Sequence, residues 1–134
     1  MARSTKKELT TQQLDQLFTQ LNTTIARLDV KGVQHFVSEL LGPEEHIMIA
    51  KRLATIILLV EGNTLYRTSK VLQISTSTAG KISAGLKLGK YNEILILFGK
   101  SKKDYFAILN TLDSILHLGG IMPHRNGLER YRGL

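Results

Sequence analysis

The sequence predicts an all-helical protein, and three observations carry that expectation. Apolar residues recur at helical spacing along nearly the whole chain. No stretch shows the strict apolar–polar alternation of a half-buried strand. Glycine and proline punctuate the periodic runs, at Gly32, Gly42, Pro43, Gly62 and Gly119.

The first element is a helix from about Thr10 to Leu28, with Leu14, Leu17, Phe18, Leu21, Ile25 and Leu28 on one stripe. Gly32 is expected to break it. Val33, Phe36, Val37, Leu40 and Leu41 mark a short second helix, stopped by Gly42. Pro43 opens a third helix, with Glu44 and Glu45 in the first turn where the helix dipole favours anions. From Ile47 to Val60 this helix is apolar in almost every direction, and only Lys51, Arg52 and Thr55 form a polar wedge. Such a helix must be buried nearly all round. A chain of 134 residues offers too few other elements to cover it, so a homodimer interface is expected along it.

Gly62 ends the third helix. Residues 64–72 read as a short helix, Gln73 and Ile74 as a turn, and Ser75 as the N-cap of a further helix reaching about Leu88. Another helix is expected over Tyr91 to Phe98. Ser101 and Asp104 have the spacing of a capping box before the last helix, which carries Tyr105, Phe106, Ile108, Leu109, Leu112, Ile115 and Leu116. The length suits one domain, assigned to residues 1–120, with 121–134 as a mobile tail lacking periodicity.

Charge is concentrated in one place. The formal net charge is +7, and residues 67–103 alone hold eight basic residues against the single acid Glu93. The rest of the chain is balanced. A neutral body with one basic segment is the electrostatic footprint of a polyanion binder.

That segment coincides with the pattern of a helix-turn-helix over residues 64–88. Leu65, Thr68 and Leu72 face inward from its first helix, Ile74 plugs the turn, and Ala79, Ile82 and Leu86 line the second. Ser69 is the small residue that permits close approach. Gln73 stands where glycine is usual, at a cost of roughly 1 kcal/mol for left-handed geometry. The outward face of the second helix presents Thr76, Ser77, Gly80, Lys81, Ala84 and Lys87. Hydroxyls and lysines hydrogen-bond base edges or phosphates, and the two small residues allow deep seating in a major groove. Arg67 and Lys70 of the first helix are placed to clamp phosphates.

The run FVSELLGPEEHIMIAKRLATIILLVEGNTLYRTSKVLQISTSTAGKIS (36–83) resembles the Trp repressor superfamily. The similar features are the Leu-Leu helix end, the Gly-Pro-Glu-Glu entry, the central helix with Lys51-Arg52, the glycine closing it and the helix-turn-helix. The resemblance implies a Trp repressor-like helical bundle, built as an intertwined homodimer. It also implies a ligand pocket between the central and recognition helices. Arg52 and Thr78 match an arginine and a threonine of the family's pocket, Lys81 stands in place of its second arginine, and Ile82 in place of a glycine. Lysine lacks the flat stacking surface of a guanidinium, and isoleucine fills the space that glycine leaves. Tryptophan or another small corepressor is therefore disfavoured, and no cofactor is expected. The pattern looks like the short Trp repressor-like branch rather than the tryptophan-binding repressor itself.

Other chemistry finds little support. With no cysteine, disulfides and thiolate zinc sites are excluded. His35, His46, His117 and His124 show no metal-ligand spacing, and Asp113 with His117 reads as a surface pair. The longest uncharged apolar run, Leu53–Val60, is too short to span a bilayer. The N-terminus lacks the apolar core of a secretory signal, so a cytoplasmic protein is expected. The expected function is a sequence-specific, non-catalytic, double-stranded DNA-binding transcription regulator, a repressor in its simplest form. It would act as a homodimer on a palindromic operator. The alternatives are a protein-interaction or structural helical module, or a nonspecific nucleic-acid binder.

Overall fold

A computed structural model describes residues 8–116. It contains seven helices and, among the described residues, no strand: α1 (Thr11–Ala26), α2 (Val30–Leu40), α3 (Pro43–Val60), α4 (Leu65–Leu72), α5 (Thr76–Lys87), α6 (Asn92–Lys100) and α7 (Lys102–Leu116). The chain divides between His46 and Ile47 into two compact units. The tail expected over 121–134, and His117 and His124, lie outside the described residues.

In the first unit, Thr10 caps α1 through a complete capping box. Its Oγ1 accepts from the Gln13 N–H at 3.0 Å, and the Gln13 side chain accepts from the Thr10 N–H at 2.9 Å. The apolar stripe exists, but Leu14, Leu17, Phe18 and Leu21 are exposed, and neither α1 nor α2 contains a buried residue. The break between these helices is not at Gly32. Asp29 caps α2, its carboxylate accepting from the Gly32 N–H at 2.7 Å, so Gly32 lies inside the first turn. A Cβ on Gly32 would meet Asp29 Oδ1 at 3.0 Å and Leu28 Cβ at 3.2 Å. The residue is small because the cap is tight.

Pro43 starts α3 as expected, and Glu45 has a specific partner there. Its Oε1 accepts from the Gly42 N–H at 2.8 Å, satisfying a donor at the helix entry. The two halves of α3 differ. Ile47, Met48 and Ile49 are exposed, whereas Thr55, Ile56, Ile57, Leu58 and Val60 are buried. Thr55 therefore departs from the expected polar wedge. Its hydroxyl donates to the Lys51 carbonyl at 2.7 Å, which removes the need for water.

The second unit is built around that buried half. Ile56, Ile57, Leu58 and Val60 form one cluster with Leu72 of α4, Ile82 and Leu86 of α5, Leu95 and Phe98 of α6, and Tyr105 and Leu109 of α7. Two glycine turns direct the chain around it. Gly62 (φ 99°) and Gly89 (φ 80°) adopt left-handed backbone geometry after α3 and α5. Asn63 N–H donates to the Leu58 carbonyl and Lys90 N–H to the Gly85 carbonyl, the long bonds of Schellman motifs. Ser101, between α6 and α7, donates its hydroxyl to Asp104 Oδ2 at 2.7 Å, a bond within the first turn of α7. Tyr105 packs its ring 5.7 Å from that of Phe98 and donates its hydroxyl to Glu61 Oε2 at 2.6 Å. This buried hydrogen bond ties the end of α3 to α7. Phe106, expected on the inward stripe of α7, is exposed because Tyr105 one residue earlier takes the core position.

Candidate nucleic-acid interface

Helices α4 and α5 pack on each other across residues 73–75. Thr64 caps α4, its side chain accepting from the Arg67 N–H, and Ser75 caps α5, its Oγ accepting from the Thr78 N–H at 2.9 Å. Between the helices, Gln73 takes the left-handed conformation that its place in the turn requires (φ 57°, ψ 52°). Its carbonyl accepts from Lys51 Nζ at 3.3 Å, so α3 braces the turn. The side chain of Lys51, half-buried, is a contributor that helical periodicity left as mere polarity.

The inward contacts follow the sequence pattern with one exception. Thr68, Ser69 and Leu72 of α4 and Ala79, Ile82 and Leu86 of α5 are buried, and Ile74 packs against the core. Leu65 does not face inward: it is exposed in the first turn of α4, before the helix reaches the cluster. Ser69 is buried at no polar cost, since its hydroxyl donates to the Tyr66 carbonyl at 2.8 Å.

The opposite face of α5 carries Thr76, Ser77, Lys81, Ala84 and Lys87, all exposed. Gly80 lies among them, and a Cβ built on it would meet nothing within 4 Å. A glycine inside a helix costs roughly 0.5–1 kcal/mol relative to alanine. Nothing in the packing around Gly80 accounts for that cost. Gly85, on the buried side of the same helix, differs: a Cβ there would approach Tyr91 Cε2 to 2.9 Å. Arg67 and Lys70 are exposed on α4. Residues 64–90 contain Arg67, Lys70, Lys81, Lys87 and Lys90 and no carboxylate, so this surface has a uniform positive sign.

A cavity of about 380 Å³ lies beside this pair of helices, lined by Met48, Lys51 and Arg52 of α3, by Gln73, and by Thr78 and Ile82 of α5. It brings together Arg52 and Thr78 of the expected ligand pocket. Lys81 is not part of its lining, because it stands on the exposed face of α5. Ile82 contributes both to this wall and to the core cluster.

His35 and His46 are exposed. Among the described residues, no group of three or more metal-ligating side chains is placed to hold an ion. No described helix is long and apolar enough to cross a membrane. Compared with models of protein families, with curated proteins and with solved structures, the chain matches none.

Proposed function

We propose that the protein is a sequence-specific double-stranded DNA-binding transcription regulator, acting as a repressor, with α4 and α5 as its helix-turn-helix. The observation that carries this reading is the outer face of α5. It combines hydroxyls, lysines and small residues, it has no carboxylate, and it leaves Gly80 in open space. This combination suits a recognition helix: donors for base edges and phosphates, and little bulk to keep the helix axis from the groove floor. The element order and the left-handed turn at Gln73 support the resemblance to the Trp repressor superfamily.

A homodimer follows from the same reading. The apolar side chains Leu14, Leu17, Phe18 and Leu21 of α1 and Ile47, Met48 and Ile49 of α3 are exposed in the single chain, which favours a covering partner. Two copies related by a two-fold axis present two α5 helices to half-sites about one helical turn apart on a palindromic operator. The chemistry is binding, not catalysis.

Selection from a randomised duplex pool tests this, with recovered sites re-measured over a range of salt. The expected result is a palindromic consensus with steep salt dependence, lost in the Lys81→Ala, Lys87→Ala double variant. Binding without enrichment would replace the regulator by a nonspecific binder. Silence at low salt would return the surface to a protein-interaction role.

A further inference from the structure

The exposed face of α4 holds a residue that the core does not use. Tyr66 is 65% exposed, more than any other aromatic residue among the described ones. It stands one turn before Lys70, whose Nζ lies 5.6 Å from the centre of its ring, and next to Arg67. Its neighbours on the inward side of α4, Thr68, Ser69 and Leu72, make the contacts to the rest of the fold. The phenol ring therefore gives up apolar area to water without packing in return, and a cation resting on its face restricts where the hydroxyl points.

A phenolic hydroxyl is a neutral donor, suited to a phosphate oxygen in a surface that the neighbouring cations already make attractive to one. We propose that Tyr66 is a duplex-backbone contact: its hydroxyl donates to a phosphate beside the groove entered by α5, with Lys70 holding the ring in place. The inference rests on the DNA-binding reading above and adds to it a contact of a different physical kind. Arg67 and Lys70 bind by displacing counterions and so weaken with salt. Tyr66 carries no charge, and its contribution is independent of salt.

That difference makes the test. Binding to a duplex recovered by the selection is measured by fluorescence anisotropy over a series of salt concentrations, for the wild type, Tyr66→Phe, Lys70→Ala and Lys81→Ala. Tyr66→Phe is expected to weaken binding about tenfold at every salt concentration, with the slope of log affinity against log salt unchanged. Lys70→Ala is expected to reduce that slope by roughly one. If Tyr66→Phe binds like the wild type while Lys81→Ala is impaired, the hydroxyl contact is refuted and the DNA reading stands. If the wild type and every variant fail to bind duplex even at low salt, the DNA reading falls and this contact falls with it.

Discussion

Helices α1 and α2 on one hand, and α3 to α7 on the other, are amphipathic by the same rule and end differently. α1 keeps Leu17 and Phe18 each 56% exposed and has no buried residue, whereas the second unit closes Ile57, Leu58, Val60 and Leu109 from water completely. A periodic stripe establishes that a helix has a face to bury. It does not say whether the cover comes from the same chain. The core of the second unit is its own, whereas the faces of α1 and of the first half of α3 are left exposed.

The largest expected effect separates these two kinds of face. Leu58→Ala removes a fully buried side chain and should cost about 2–5 kcal/mol in denaturant unfolding, at any protein concentration. Phe18→Asp should instead act through concentration. On the proposed homodimer it should shift sedimentation equilibrium towards monomer, and an unchanged oligomeric state would remove the case for an α1 interface.

Next in size is the hydrogen bond that closes the second unit. Tyr105→Phe keeps the ring against Phe98 and deletes the donor to Glu61, so stability should fall by about 1–3 kcal/mol with the helical content retained. The two glycines of α5 extend the comparison to opposite faces of one helix. Gly85→Ala should destabilise by about 1–3 kcal/mol, because its methyl collides with the Tyr91 ring. Gly80→Ala should do the reverse, raising stability by roughly 0.5–1 kcal/mol while weakening duplex binding. Equal affinity in that variant would mean that α5 does not seat deeply. The smallest effect concerns Thr68, whose buried hydroxyl has no hydrogen-bond partner. Thr68→Val should leave stability unchanged or raise it by up to about 1 kcal/mol by thermal unfolding.

Much of the local architecture was legible because local chemistry dictates it. Pro43 and Glu45 set the start of α3, Thr10, Ser75 and Ser101 mark helix entries, and the exposed character of Thr76, Ser77, Lys81 and Lys87 follows from spacing alone. Structure departs from expectation where a neighbour in space, or a neighbour one turn away, decides. Gly32 reads as a breaker, but the Asp29 carboxylate recruits its N–H into α2. Leu65 and Phe106 are apolar at helical spacing, yet both stay exposed. Arg52 and Thr78 share one cavity wall, while Lys81 stands on the exposed face of α5.

The sequence by itself therefore determined the helices, their caps, the basic segment and the polar face of α5, since each depends on residues within a turn or two along the chain. Only the tertiary structure decided which apolar faces are closed, that Lys51 braces the Gln73 turn, and that Glu61 meets Tyr105 across 44 positions of sequence. Those depend on which helices come together, and periodicity along one helix carries no information about its neighbour.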